Sequence, residues 1–391
     1  VIDLDHNATT RPNAAVLAAL VEGAGELYHN PSSTHRAGQQ ARQAIELARQ
    51  AMADLIGCKA RDVTWTGSGT EAIDLAIRGV LGALPKPNRR LITTKVEHHA
   101  VRAIVESAGV DLEVMDAPLL ADQSGRVDVT DLARLMAMGA PGLVSVQWAN
   151  NETGVVQPLG EVVRVAHERG WLVHTDATQW VGKMPTDVKS GPAVDVLTCA
   201  PHKFGGPKGV GVFMAARHVK VMPRVMGTQE LGRRGGTENT AAIHASGVAA
   251  GEAMEWLQDE GGRVRGAALR DRLEGALVER CGAAVNGGAV ERLWNTTNVG
   301  FAGLEAEAIL ILLSERGVLA SAGAACSSGS LDPSPVLLAM GVEPRVAHGS
   351  VRFSIGRETT EGEIEKAIEV IVEAVGKLRG SWGAAAPRIA K

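Results

Sequence analysis

The sequence is poor in cysteine. It has four in 391 residues, Cys58, Cys199, Cys281 and Cys326, widely scattered and without a CxxC pair. That excludes a disulfide framework and makes a reducing, cytoplasmic compartment the expectation. A bias of charge is also missing. Lys plus Arg total 40 against 44 for Asp plus Glu, a formal net charge of -4, which leaves no footprint for direct nucleic-acid binding or for an anionic membrane. No uninterrupted apolar run reaches the roughly 20 residues of a membrane span. The opening Val1-Ile2-Asp3-Leu4-Asp5 has neither a basic n-region nor an apolar h-region, so no signal peptide is expected there. Internal repeats and low-complexity domains are absent as well.

What is present is the composition of a soluble globular protein, 45% hydrophobic and 21% charged. The length is about 2.6 times a typical domain of roughly 150 residues, so two domains or one large α/β unit plus a smaller one are expected. Short apolar runs alternate with stretches of helical spacing over the first two-thirds: Val63–Thr66 then Glu71 to about Leu84, Arg90–Thr94 then about Ala100 to Ala108, and Leu143–Trp148 then Glu161 to Arg169. Trp171–His174 and Val194–Thr198 continue the series. Strands alternating with helices, with few polar positions inside the strands, predict a parallel sheet covered on both faces. After about residue 240 the style changes. One long helical stretch is predicted from about Ala241 to Arg280, β-like segments around Asn295 to Phe301 and Arg352 to Ile355, and a closing amphipathic helix over Glu361 to Leu378.

Several apolar strands end in polar clusters. Thr66-Gly67-Ser68-Gly69-Thr70-Glu71, Glu97-His98-His99, Ala149-Asn150-Asn151-Glu152, His174-Thr175-Asp176-Ala177-Thr178-Gln179 and His202-Lys203 each follow such a run. In an open α/β sheet the carboxyl ends of the strands form the ligand crevice, so these clusters describe one polyfunctional pocket.

Each residue has a bland reading beside the functional one. Gly67 to Thr70 can hold a phosphate on backbone amides and a helix N-terminus. It can also be a plain tight turn, and with Ala72 it fits the dinucleotide fingerprint, Glu97 then standing near the acidic position. Lys203 follows an apolar strand and a proline in a glycine-rich bend, where a desolvated lysine can form a Schiff base; most lysines are surface charges. Asp176 can pair with a pyridinium nitrogen, which makes pyridoxal phosphate (PLP) an electron sink, or can cap a helix over Ala177 to Val181. His98 can stack on a flat ring or shuttle protons, or be an ordinary loop histidine. Cys326 sits in the small-residue stretch Ser321-Ala322-Gly323-Ala324-Ala325-Cys326-Ser327-Ser328-Gly329-Ser330, where a nucleophilic thiolate would be accessible; the alternative is a turn that tolerates cysteine. No metal is expected: His98 and His99 are adjacent rather than at ligand spacing, with no second cluster.

Nine motifs then occur in one order. They are Asp5-His6-Asn7-Ala8-Thr9-Thr10, Asn30-Pro31-Ser32-Ser33, Gly69-Thr70-Glu71, Glu97-His98, Ala149 to Gly154, His174-Thr175-Asp176-Ala177, His202-Lys203, Gly235-Gly236-Thr237-Glu238-Asn239 and the Cys326 stretch. In that order they resemble the cysteine desulfurases of the NifS/IscS type, class V aminotransferase relatives, from Asp5 to beyond Arg352. The resemblance implies an α/β fold, PLP-dependent transferase fold type I, with a mainly parallel sheet in a large domain over 15–255. A smaller α+β domain is implied over 1–14 plus 256–391. It also implies a homodimer.

By the same resemblance, pyridoxal 5'-phosphate is covalently held on Lys203. Asp176 faces the pyridine nitrogen, His98 stacks on the ring, and Gln179 and Asn151 contact the phenolic oxygen or its surroundings. Gly69, Thr70 and His202 belong to the phosphate site, and Thr237 reaches the partner subunit's phosphate. Arg352 and Asn30 hold the substrate carboxylate. The implied reaction removes sulfur from L-cysteine, giving L-alanine and a persulfide on Cys326, with Lys203 and His98 moving protons. The persulfide then passes to an acceptor such as an iron–sulfur scaffold, for iron–sulfur cluster assembly, or to a tRNA-thiolation relay. Two departures stand out: Ala200 where a phosphate-binding Ser is common, and Ala322 and Ala324 where Ser is common. Alternatives are a selenocysteine lyase or aminotransferase of the same fold, a sulfur-delivery scaffold, and an NAD-dependent dehydrogenase resting on Gly67 and Gly69.

Overall fold

The computed structural model describes residues 1–107, 112–322 and 332–385. Its centre is a seven-stranded sheet in the spatial order Val63–Thr66, Gly211–Ala215, Val196–Cys199, Leu172–Asp176, Leu143–Ser145, Arg90–Thr93, Glu113–Asp116. Strand after strand is parallel, as the alternation with helices predicts. The exception is Gly211–Ala215, which runs antiparallel to both of its neighbours. It returns directly from Val196–Cys199 through the glycine-rich bend, without a crossover helix, so its direction must reverse. The sequence pattern gave no sign of this strand.

Period-two alternation splits each strand between two apolar layers. Leu91, Leu143, Val196 and Phe213 face one, with Ile73, Ile77 and Val101 from the covering helices. Ile92, Val144, Leu197 and Val212 face the other, with Ile45, Met52 and Ala249. On that second face the helices Ala14–Gly25, Arg36–Ile56 and Thr240–Gln258 pack closely. A Cβ on Gly247 would stand 2.6 Å from Ala48 Cα, and one on Gly23 2.5 Å from Ala241 Cα, so glycine sets the approach.

The single helix expected from Ala241 to Arg280 is two, Thr240–Gln258 and Glu260–Cys281, broken at Asp259. Asp259 leaves helical backbone (φ -89°, ψ 96°) and its side chain accepts from Gly261 N, starting the second helix. The break is where packing changes partner. Ala242, Ala249 and Ala253 belong to the large core, Leu273, Leu277 and Cys281 to a second one.

That second core lies beside a four-stranded sheet, in the order Ser321–Ala322, Ser350–Ser354, Thr296–Gly300, Ala284–Val285. The N-terminus joins it. Ile2–Asp3 pairs in parallel with Val318–Leu319, Asp5 bridges to Ser354, and Leu4 is fully buried with Phe353 and Ile364. The closing helix runs over Glu361–Ala385. Among the described residues no helix is long and apolar enough to cross a membrane. The N-terminal segment therefore leaves the small sheet at Asp5 and passes across the carboxyl ends of the large one.

Candidate active site

The strand Val63–Thr66 turns at Gly67 and Ser68 into a helical stretch that begins at Gly69. Ser68 Oγ accepts from Glu71 N at 3.1 Å, so its hydroxyl is spent on the helix cap and the first-turn amides of Gly69 and Thr70 open the helix. A Cβ on Gly69 would lie 3.2 Å from Ala200 Cβ and 4.0 Å from Thr178 Oγ1. The turn, Ala200 and Thr178 thus converge on one corner.

The next strand ends bring the remaining groups. Leu172–Asp176 delivers Asp176, whose Oδ1 accepts from Thr178 N at 3.0 Å. No helix follows there, so Asp176 is a turn residue rather than a helix cap. Val196–Cys199 leads through Ala200 to a single helical turn, Pro201–Lys203. After Arg90–Thr93 the chain reaches His98, whose Nδ1 accepts from Ala100 N at 3.1 Å and caps the helix His99–Glu106. A ring whose Nδ1 accepts from a backbone amide carries its proton, when neutral, on Nε2. After Leu143–Ser145 come Gln147 and Asn151.

Together these residues wall a cavity of about 330 Å³. Lys203, His98, Asp176, Gln179 and Asn151 all line it, as do Gly69, Thr70, His202 and Arg352. Nine of the residues singled out in the sequence are therefore brought to one place. Three are not. Asn30 lies exposed in the loop before Arg36, its Oδ1 taken up by Ser32 N at 2.9 Å, and Thr237 is exposed elsewhere on the surface. Cys326 lies outside the described residues.

The far wall is the N-terminal segment. Lys203 Nζ donates to the main-chain oxygens of Asn7 and Ala8, both at 2.7 Å. Thr10 N and Oγ1 both donate to His202 O at 2.9 Å, and Thr9 Oγ1 is 3.2 Å from His202 Nδ1. Arg352, on the strand Ser350–Ser354, donates from Nη2 to Asp5 Oδ1 at 2.6 Å and from Nη1 to Asn151 O at 3.1 Å. Arg352 Nε and Asn151 Oδ1 are buried and have no partner among the described residues.

Burial governs the electrostatics. It pushes the His98 imidazole below its ordinary range; Asp176 opposes this, while Lys203 and His99 add to it. His202 is pushed down to about 4 by burial, with Lys203 next. Both rings are thus held neutral near pH 7. Glu97 is enclosed, bonded by Gln147 N at 3.0 Å and Thr94 Oγ1 at 2.9 Å, and burial raises its carboxyl to about 8. A carboxyl spent inside the protein cannot hold a ribose, which removes the acidic partner that a dinucleotide fingerprint requires.

The donor set fits PLP. One corner offers the Gly69 and Thr70 amides, the Thr178 hydroxyl and His202 for a phosphate; an acid, Asp176, and an amine, Lys203, stand on the same wall; and two buried polar atoms lack partners among the described residues. The cavity also falls in the size range of small-molecule sites, ~300–1,000 Å³. Ala200 lies on the wall of the phosphate corner, so the missing serine hydroxyl is missing at that point.

Asn7, Thr178, Gln147 and Lys183 belong to the site or its support and were given no role from sequence. Thr178 could have been found two residues after Asp176, in the same strand-end cluster. Asn7 lay inside a quoted motif, but its task, described below, is tertiary and leaves no local pattern.

Comparison with known proteins gives a consistent result. The family model described as aminotransferase class-V matches residues 2–367. The chain is 42% identical over 384 residues to "Cysteine desulfurase 2" of Trichormus variabilis, covering 97% of this chain and 94% of that protein. It is 42% identical over 380 residues to "Cysteine desulfurase NifS" of Azotobacter vinelandii, covering 96% and 93%. Among solved structures, a "NIFS-like protein" superposes with a TM-score of 0.88 at 32% identity, over 96% of this chain and all of that one.

Proposed function

Because the chain belongs to the aminotransferase class-V family, in its cysteine desulfurase branch, we propose that it takes sulfur from L-cysteine with PLP held covalently on Lys203 Nζ. The observation that carries this reading is the convergence of Lys203, Asp176, His98 and Arg352 on one cavity. When bound, PLP supplies the sink for the electron pair left at the substrate's α-carbon.

The chain's own residues do the rest. Arg352 offers a planar fork of donors, one of them buried and unpaired, to the substrate carboxylate. Asp5 holds the guanidinium in place from the other side. As a free amine, Lys203 Nζ would take the α-proton as a base. The Asn7 and Ala8 carbonyls accept its hydrogens and keep it against the wall. His98, neutral and carrying its proton on Nε2, would be the donor in the next proton transfer. The Cys326 thiolate would attack the substrate sulfur: a sulfur–sulfur bond forms on Cys326 as the sulfur–carbon bond breaks, the pair of the broken bond stays with the β-carbon, and the three-carbon remainder leaves as L-alanine after one proton is added at the β-carbon and one is returned to the α-carbon.

The persulfide would pass to a protein acceptor such as an iron–sulfur scaffold. Thr237, exposed and apart from this cavity, is free to reach a second subunit, as the homodimer reading requires, whereas Asn30, also exposed and apart, does not line the cavity in which it was expected to hold the substrate carboxylate. Cys58, Cys199 and Cys281 are free and buried, which supports a reducing cytoplasmic setting.

The test is product analysis with L-cysteine and a thiol reductant. The protein should give equimolar alanine and sulfide, and Cys326→Ala and Lys203→Ala should each abolish both. Alanine formation that survives Cys326→Ala would overturn the persulfide step and leave a lyase or transaminase of the same fold.

A further inference from the structure

One buried amine takes no part in the reaction as described. Lys183 is not among the residues that line the active-site cavity; among the described residues its Nζ donates to Asn7 Oδ1 at 2.8 Å and Gln179 Oε1 at 2.5 Å. Lys183 is only 4% exposed. An amine in the interior costs stability unless something uses it. What it touches is the side chain expected to meet the cofactor's phenolic oxygen.

Gln179 is fixed at both ends of its amide. Nε2 donates to Asn7 O at 3.1 Å. A main-chain oxygen only accepts, so that contact must be the NH₂ end, and Oε1 must then face Lys183. An amide NH₂ has two hydrogens. One is on Asn7 O, and the other is what Gln179, a residue of the cavity wall, can present to the cavity. Were the amide turned over, two acceptors would oppose each other at Asn7.

Asn7 is itself held from several sides. Its Nδ2 donates to Thr296 Oγ1 at 2.9 Å and Asn151 O at 3.2 Å, and its Oδ1 also accepts from Asn295 Nδ2 at 3.0 Å. The Lys183 main-chain oxygen accepts from Trp294 Nε1 at 3.0 Å. The support of Gln179 thus runs through the N-terminal segment and the strand Thr296–Gly300 as well as its own turn.

We infer that Lys183 is a positioning residue: it pins the Gln179 amide so that an N–H donor faces the phenolic oxygen of the lysine-bound cofactor. The inference rests on the PLP reading above. Burial first, then the charges of Lys203, Arg352 and Arg357, hold the Lys183 amine well below the ordinary lysine range, which is compatible with an uncharged donor. A donor at the phenolic oxygen favours the form in which the lysine–cofactor linkage has lost its proton, and so lowers the pH at which the linkage titrates.

The experiment is a spectrophotometric pH titration of the visible band of the purified holoenzyme without substrate. Wild type, Lys183→Met, Gln179→Ala and the double variant are compared, with melting curves as the folding control. Gln179→Ala should raise the midpoint by about one pH unit, a tenfold shift. Lys183→Met should raise it in the same direction, and the double variant should go no further than Gln179→Ala alone, because one residue acts through the other. A Lys183→Met midpoint equal to wild type, or shifts that add in the double variant, would overturn the inference. If Lys183→Met does not fold, Lys183→Gln, one bond too short to close the contact with Gln179, is read by the same two outcomes. A wild-type protein with no visible band would instead sink the PLP reading itself, so the two failures are distinct.

Discussion

The two walls of the cavity are built on opposite principles. The strand-end wall works through side chains of particular chemistry, Asp176, His98 and Lys203, each standing at or just after the carboxyl end of a strand. The N-terminal wall works largely through main chain: the carbonyls of Asn7 and Ala8 hold Lys203. Its one central side chain, Asn7, is a buried amide bonded in four directions. A residue on the first wall is replaceable at little cost to the fold but not to the chemistry. On the second wall the two costs come together, because the same bonds join the sheets and aim the lysine.

The sharpest contrast comes from His98→Ala. It should lower alanine formation by about 10²- to 10⁴-fold, the usual size of a lost acid–base group, while the apoprotein loses only the ~1 kcal/mol of one helix cap. Asn7→Ala should do both. It strips a partner from Lys183, Asn295, Thr296 and Asn151 inside the protein, so apoprotein stability should fall by about 3 kcal/mol and activity with it. An Asn7→Ala protein as stable as His98→Ala would erase the distinction between the walls.

The strand-end wall also carries a pH signature. Glu97, ordinarily near 4.5, is pushed up to about 8 by burial. Between those values the folded protein holds a proton that the unfolded chain has released. The stabilisation is thus complete below pH 4.5 and is lost as pH rises through about 8. Glu152, pushed up to about 7 by burial, acts in the same direction. Urea unfolding at pH 6 and pH 9 should show wild-type stability falling, and Glu97→Gln should reduce that fall by at least about 1 kcal/mol without abolishing it. An unchanged slope would mean that Glu97 stays ionised. The smallest effect is expected at the phosphate corner, where Ala200→Ser restores a hydroxyl between Gly69 and Thr178. PLP should bind roughly fivefold more tightly, ~1 kcal/mol, by equilibrium dialysis against the apoprotein.

The same contrast explains what was legible in the sequence. The alternating runs gave the mainly parallel sheet, and polar clusters at strand ends gave Lys203, Asp176, His98, Gln179 and Asn151, because a strand end followed by a loop leaves a local trace. Arg352 was reached only through the resemblance, since an arginine in an apolar strand announces nothing about the cavity it lines. The antiparallel strand Gly211–Ala215 was hidden behind a glycine-rich bend. The break at Asp259 was hidden in a continuous helical composition, because what ends the first helix is a change of packing partner. Lys183 left only its four-residue offset from Gln179, and its burial depends on Asn7, which lies 176 positions away in the chain.

The central claim is that Lys203, and not the amine beside it, carries the cofactor. Borohydride reduction of the holoenzyme followed by peptide mapping tests it directly, since reduction fixes the cofactor on whichever lysine holds it. The account predicts a yellow protein that bleaches on reduction, with the pyridoxyl mass on the peptide containing Lys203 and none on the peptide containing Lys183. Label on Lys183, or a colourless protein that takes up no added PLP, would contradict it.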